Sequence, residues 1–188
     1  MNKVNSPALN RVRSNFSTAS RAWQLLTPTQ QSDWDAFALA NPQSDGLGLL
    51  LLINGKTFFN TVYINRLTCG NLTVPLAPIS LPTSPPGLVS FTIVWPFTIA
   101  IILDGLAPPL DFITVSLTRA QSLGAQAARD FGLAIVVPGN TVSVPILDAY
   151  WAIRFGTMPR HGRIFAKLVP INSDGWPGSP LIISAVIS

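Results

Sequence analysis

Glutamate is missing from this chain altogether. All eight acids are Asp, lysine occurs only three times, and 11% of the 188 residues are charged, where an ordinary soluble domain carries about 25%. Glu and Lys are the residues that normally solvate exposed helix faces, and the mean hydropathy of +0.40 is high for a free monomer, whose surface charge keeps it dispersed. Either the chain enters a membrane or much of its exterior is covered by other protein. Cysteine and histidine are just as scarce. A lone Cys69 excludes an internal disulfide framework and any cysteine metal cluster. A lone His161 leaves His-based metal sites and most acid–base machinery without parts. No Gly-rich phosphate loop, HExxH or CxxC occurs. The expectation is a protein without enzymatic activity, metal, cofactor or small-molecule substrate.

Long apolar runs are absent too. The longest uncharged apolar stretch, Gly87 to Leu103, carries Ser90, Thr92, Pro96 and Thr98 and falls short of the roughly 20 residues of a spanning helix. Pro96 would break a helix there, whereas strand–turn–strand accommodates it. The N-terminus is basic but has no apolar segment behind it, so it does not read as a secretory signal. Covering by protein is therefore preferred over a membrane.

What is present falls into blocks. Residues 1–14 carry Lys3, Arg11 and Arg13 with no acid and no evident periodicity, and read as a basic extended arm. Arg21 adds a fourth positive charge ahead of the first acid, Asp33. Such an arm orders on a neighbouring subunit; contact with a phosphate backbone is the lesser alternative, because no aromatics are interleaved with the charges.

Residues 15–70 read as a helical domain. Phe16, Ala19, Ala22, Trp23 and Leu26 recur at helical spacing. Thr27-Pro28-Thr29-Gln30 is a capping box with Pro at the first helical position, starting a second helix that Asn41-Pro42 ends. Trp34, Phe37 and Ala38 mark its inner face, giving an αα-hairpin. After a turn at 44–48 and a short buried strand from Leu49 to Ile53, a third helix runs from Lys56 to Cys69. Phe58, Phe59, Val62, Tyr63 and Leu67 form its apolar face, and Gly70 takes the left-handed cap. Cys69 reads as a small buried hydrophobe.

Residues 71–87 hold five prolines and no charge, a stiff linker. From 88 to 188 the period becomes two. Ile113, Val115 and Leu117 alternate with Thr114, Ser116 and Thr118, and similar runs at 89–93, 97–103, 132–137, 141–144, 163–169 and 180–187 are separated by Gly, Pro, Asn and Asp turns. This pattern predicts an antiparallel immunoglobulin-like β-sandwich. Residues 147–156 read as a short helix between strands, with an alternating strand as the other reading. The fold class is α+β: a helical hairpin and a third helix, then the sandwich.

Asp104, Asp111, Asp130, Asp148 and Asp174 fall at turns and element ends, where Asp bonds its own backbone. His161 lies in an exposed basic turn, read as a solvated loop with an anion clamp as the lesser reading. Trp95 and Trp176 fall beside prolines at strand ends, and Trp151 inside the 147–156 segment. All three suit subunit contacts and equally suit plugging a core. With Lys3, Arg11, Arg13 and Arg21 they make up the candidate assembly residues.

Trp23-x-x-Leu26-Thr27-x-x-Gln30-x-x-x-Trp34-x-x-Phe37-Ala38, Gly55-x-x-x-Phe59 with Asn65, Tyr150-x-x-x-x-Phe155-Gly156 and Asp174-Gly175 together resemble a family of small phage and prophage virion structural proteins. Its members have a helical N-terminal part and a fibronectin-III- or immunoglobulin-like C-terminal part. The resemblance rests on packing residues and implies no catalytic ones. It implies a capsid-associated or decoration protein, made in the host cytoplasm and placed in the virion in many copies, its partners being further copies and other virion proteins. The alternatives are a receptor- or glycan-binding module of a tail or fibre and a cellular surface appendage subunit.

Overall fold

The computed structural model describes residues 7–44, 50–76, 87–94, 98–104, 112–128, 130–138 and 143–187. It divides into two compact units, one of residues 1–81 with 174–176, the other of residues 82–173 with 177–188.

The first unit is helical. α1 spans Pro7–Leu25, α2 Pro28–Ala40 and α3 Gly55–Thr68. The α2 start is the expected capping box: the Thr27 N–H donates to Gln30 Oε1 at 2.9 Å and the Gln30 N–H to Thr27 Oγ1 at 3.3 Å. Asn54 caps α3, its Oδ1 accepting from the Thr57 N–H at 2.8 Å. At the other end Gly70 adopts φ +83. The N–H of Asn71 then reaches the Arg66 carbonyl at 2.8 Å and that of Gly70 the Leu67 carbonyl at 3.2 Å, a Schellman closure. Gly55 sits where α3 begins against α2. Its N–H donates to Asp35 Oδ1 at 2.9 Å, and a Cβ there would stand 2.6 Å from the Trp34 carbonyl carbon, so only glycine permits this approach.

The unit closes on an aromatic core. Trp34 and Phe59 are fully buried with Ala19, Ala38 and Val62 around them. Trp34 meets Phe59 edge-on at 5.5 Å, and Trp23 meets Phe59 at 5.4 Å. Trp176, from residues 174–176, completes the cluster. Its ring lies 5.0 Å from that of Phe37 and 5.4 Å from that of Phe58. Gly175 passes close over the Val62 carbonyl in a left-handed conformation (φ +89). Beside it the Asn65 side-chain amide donates to the Gly175 carbonyl at 3.0 Å, and Arg66 pairs with Asp174 at 3.3 Å.

Three expectations are corrected in this unit. The extended arm at 1–14 gives way to helix from Pro7 onward. Proline is at home at a helix start, and Val12 and Phe16 continue upstream the three- and four-residue spacing of Ala19, Trp23 and Leu26. Residues 1–6, with Lys3, lie outside the described residues. The short buried strand at Leu49–Ile53 is reduced to a two-residue strand, Leu50–Leu51 (β2), paired antiparallel with Gln43–Ser44 (β1). Leu49 lies outside the described residues; Leu51 and Leu52 are exposed, and Ile53 leans on the aromatic core. The stiff linker begins later than residue 71, because the Leu72 carbonyl accepts from Tyr63 Oη and the Thr73 carbonyl from Arg66, which binds these two residues to α3. Residues 77–86 lie outside the described residues.

The second unit is a sandwich with seven strands among the described residues. Strands β3 (Gly87–Val94), β4 (Thr98–Asp104) and β7 (Ser143–Leu147) form one antiparallel sheet in the order β3-β4-β7. Strands β5 (Phe112–Thr118), β6 (Phe131–Pro138), β8 (Arg163–Ile171) and β9 (Leu181–Val186) form the other, in the order β6-β5-β8-β9. The chain crosses from β4 to β5, returns at β7 to pair with β4, and crosses again to place β8 beside β5. Three strands facing four with these crossovers define an immunoglobulin-like sandwich. Alternation decides what is inside: Ile99, Ile101 and Leu103 from one sheet meet Ile113, Val115, Leu117, Ile164 and Leu168 from the other. The segment after β7 is helical, α4 spanning Asp148–Phe155.

One buried polar residue has a visible reason. A register shift between Leu117 and Thr118 ends the regular ladder. The fully buried Thr118 then accepts the Phe165 N–H on its hydroxyl at 3.1 Å, while its carbonyl accepts from Trp151 Nε1 at 3.4 Å.

Candidate functional site

Of the candidate assembly residues, Trp151 and Trp176 are corrected. Trp151 is 1% exposed, held on α4 against Phe155 at 5.4 Å within the sandwich core. Trp176 is buried in the helical core. Both are plugs, because a large apolar ring gains more by filling a core than by facing water. Trp95 lies outside the described residues.

The described basic candidates lie on a helix, which for Arg11 and Arg13 replaces the extended arm. Arg11, Arg13 and Arg21 are exposed on α1. At about 100° per residue, Arg11 and Arg13 flank Val12 on either side and Arg21 points away from it. Between the flanks runs an apolar stripe. Its C-terminal half, Ala19, Ala22 and Leu26, is buried in the helical core. Its N-terminal half is not: Val12 is 63% and Phe16 56% exposed. The sequence pattern places Phe16 on this face but leaves Val12 in the arm, although the four-residue spacing from Val12 to Phe16 is a signal for it.

α2 offers a second uncovered face. Trp34 and Ala38 point inward, while Ser32, Asp33, Ala36, Leu39 and Ala40 are exposed, Leu39 to 71%. The charges on the two helices are segregated. α1 has three arginines and no acid, and α2 has Asp33 and Asp35 and no base. Asp35 is engaged with the Gly55 N–H; Asp33 stands on the outward face.

On the sandwich, a half-open groove of about 1020 Å³ lies between residues 119–132 and the end of α4, lined among others by Arg119, Gln121, Gln126, Asp130, Arg154 and Phe155. Arg154 donates to the Gly132 carbonyl at 3.0 Å, which fixes that wall. These residues come from separate elements and share no sequence spacing, so the groove had no signature. His161 is exposed in the bend before β8. Burial pushes the half-buried Cys69 thiol up from 9.0 to about 11, which holds it protonated and unreactive. Among the described residues, no helix is long and apolar enough to cross a membrane.

No protein-family model matches the chain, and no curated protein matches it. Among solved structures it is similar to a fibronectin type III domain of human collagen XX, at 23% identity and a TM-score of 0.34, over 58% of this chain and 99% of that one.

Proposed function

We propose that this chain is a non-enzymatic structural protein of a virion, a phage capsid-associated or decoration protein present in many copies. The observation that carries the reading is the character of the surface. Large hydrophobic side chains stand exposed on both units, among them Val12, Phe16, Leu39 and Leu52 on the helical one and Ile102, Ile182 and Val186 on the sandwich, in a chain with few ions to keep it dispersed. Scattered apolar residues are ordinary on a surface; combined with so little charge they suit a molecule covered by neighbours. Uncharged faces come together without the cost of stripping water from ions, and repeated weak contacts sum to firm attachment. The virion setting rests on the resemblance in the packing residues. Quantitative mass spectrometry of particles purified from the source tests it: peptides of this chain at a copy number comparable to the shell protein are expected, and their absence overturns the reading.

The groove beside Arg119, Asp130 and Arg154 favours a second reading, a receptor- or glycan-binding module of a tail or fibre. Planar guanidinium groups, amides and a carboxylate around a half-open cleft suit polyhydroxylated ligands. Binding on a glycan array that is lost on Arg154→Ala supports it; an array without hits removes it.

A further inference from the structure

We infer that the exposed N-terminal half of α1 docks on the outer face of α2 of a second copy of the same chain, joining copies head to tail. The inference rests on the proposed assembly role and names its partner and contact. Three observations carry it. The apolar stripe of α1 is continuous, but the protein covers only its C-terminal half and leaves Val12 and Phe16 in water. Those two residues stand one helical turn apart, the spacing of neighbouring knobs on a packed helix. The outer face of α2 presents the matching relief, small Ala36 and Ala40 one turn apart beside the exposed Leu39.

The third observation is charge, and it selects the occupant. The arginines of α1 have no acid on their own helix, and the outward Asp33 of α2 has no base on its own. Arg11 flanks the apolar stripe, so a helix seated on that stripe meets positive charge at its rim. Two α1 helices laid face to face would oppose like charges. α1 on α2 instead brings opposite charges together, and the chain itself supplies both halves. A lipid surface is disfavoured, since only two large side chains would insert and Asp33 and Asp35 lie in the same unit. Because the two patches differ, the contact is heterologous and propagates from copy to copy, closing into a ring or extending as a filament according to the rotation per step. A single such contact is small and weak, and becomes firm only in an array.

A complementation experiment with the full chain tests this. One variant, Val12→Ser with Phe16→Ser, loses the α1 half; a second, Asp33→Arg with Ala36→Glu, loses the α2 half. All four positions are exposed, and unchanged far-UV circular dichroism and thermal midpoints establish that both variants fold. Sedimentation velocity over a concentration series is expected to show the parent chain associating into species beyond dimer. Each variant alone should associate at least tenfold more weakly, and an equimolar mixture should stop at a heterodimer, since each member keeps one intact half. A parent chain that stays monomeric up to its solubility limit overturns both the inference and the assembly reading in its self-associating form. Association that neither variant weakens overturns the inference alone and moves the contact elsewhere on the surface. Flotation with phosphatidylserine vesicles, abolished by the α1 variant, in a chain that does not self-associate, assigns the face to lipid and likewise overturns it.

Discussion

The indole of Trp176 stacks on that of Trp34, with ring centroids 6.4 Å apart and planes inclined by 26°, although one lies near the start of the chain and the other near its end. Trp34 is fully buried and Trp176 nearly so. Replacing Trp176 by Ala removes contacts with Trp34, Phe37 and Phe58 at once. The expected loss is about 3–5 kcal/mol, the range for emptying a large aromatic site in a core. Phe at this position keeps most of the apolar volume and should lose a smaller share. Urea unfolding followed by far-UV circular dichroism of the helical signal measures both.

Gly55→Ala sets two effects against each other. Alanine favours helix over glycine by up to about 1 kcal/mol. The added methyl would stand 2.5 Å from the Asp35 backbone nitrogen, and backbone atoms of α2 cannot step aside as a flexible side chain can. Overpacking costs about 1–3 kcal/mol, so a net destabilisation and a lowered thermal midpoint are expected.

Thr118→Val preserves shape and removes an acceptor. The Phe165 N–H then loses its partner inside the sandwich. A buried donor left unpaired costs about 1–3 kcal/mol, and amide hydrogen exchange at Phe165 should accelerate. Thr118→Ser keeps the hydroxyl and should restore slow exchange.

Cys69 gives the chain a stability change in alkaline solution. In the unfolded chain the thiol ionises near 9.0, whereas in the folded protein burial delays ionisation to about 11. Between those values the folded state holds more protons than the unfolded state, so stability falls as pH rises through that window. Cys69→Ala should flatten this part of the curve. Alkylation by iodoacetamide at pH 8 should be much slower in the native protein than in urea, since only the thiolate reacts.

Local chemistry was the most legible part of the sequence. Thr27, Gln30 and Gly70 announce their helix ends because capping depends on neighbours three or four positions away. The alternation of Ile113, Val115 and Leu117 reports a strand with one face inside. Harder to read was the start of α1 ahead of Phe16, where Asn10, Ser14 and Asn15 dilute the stripe that Val12 continues. The fate of the tryptophans was not legible at all. Whether Trp151 and Trp176 face water or a core depends on which distant segments arrive beside them, and no local spacing encodes that. The same holds for the facing of α1 and α2, where each helix shows its charge plainly but only the folded unit shows which residues remain uncovered.

The place of Trp176 in the helical core also bears on the order in which the protein is made. A ribosome that has released α1, α2 and α3 has supplied the described helices of that unit, yet not the ring of Trp176 that packs among them. Until residue 176 emerges, Trp34, Phe37 and Phe58 lack the ring that packs against them in the folded protein. The helical unit thus reaches its final form only after the strands up to β8 have been made, and a message cut short before that codon yields helices without a finished interior.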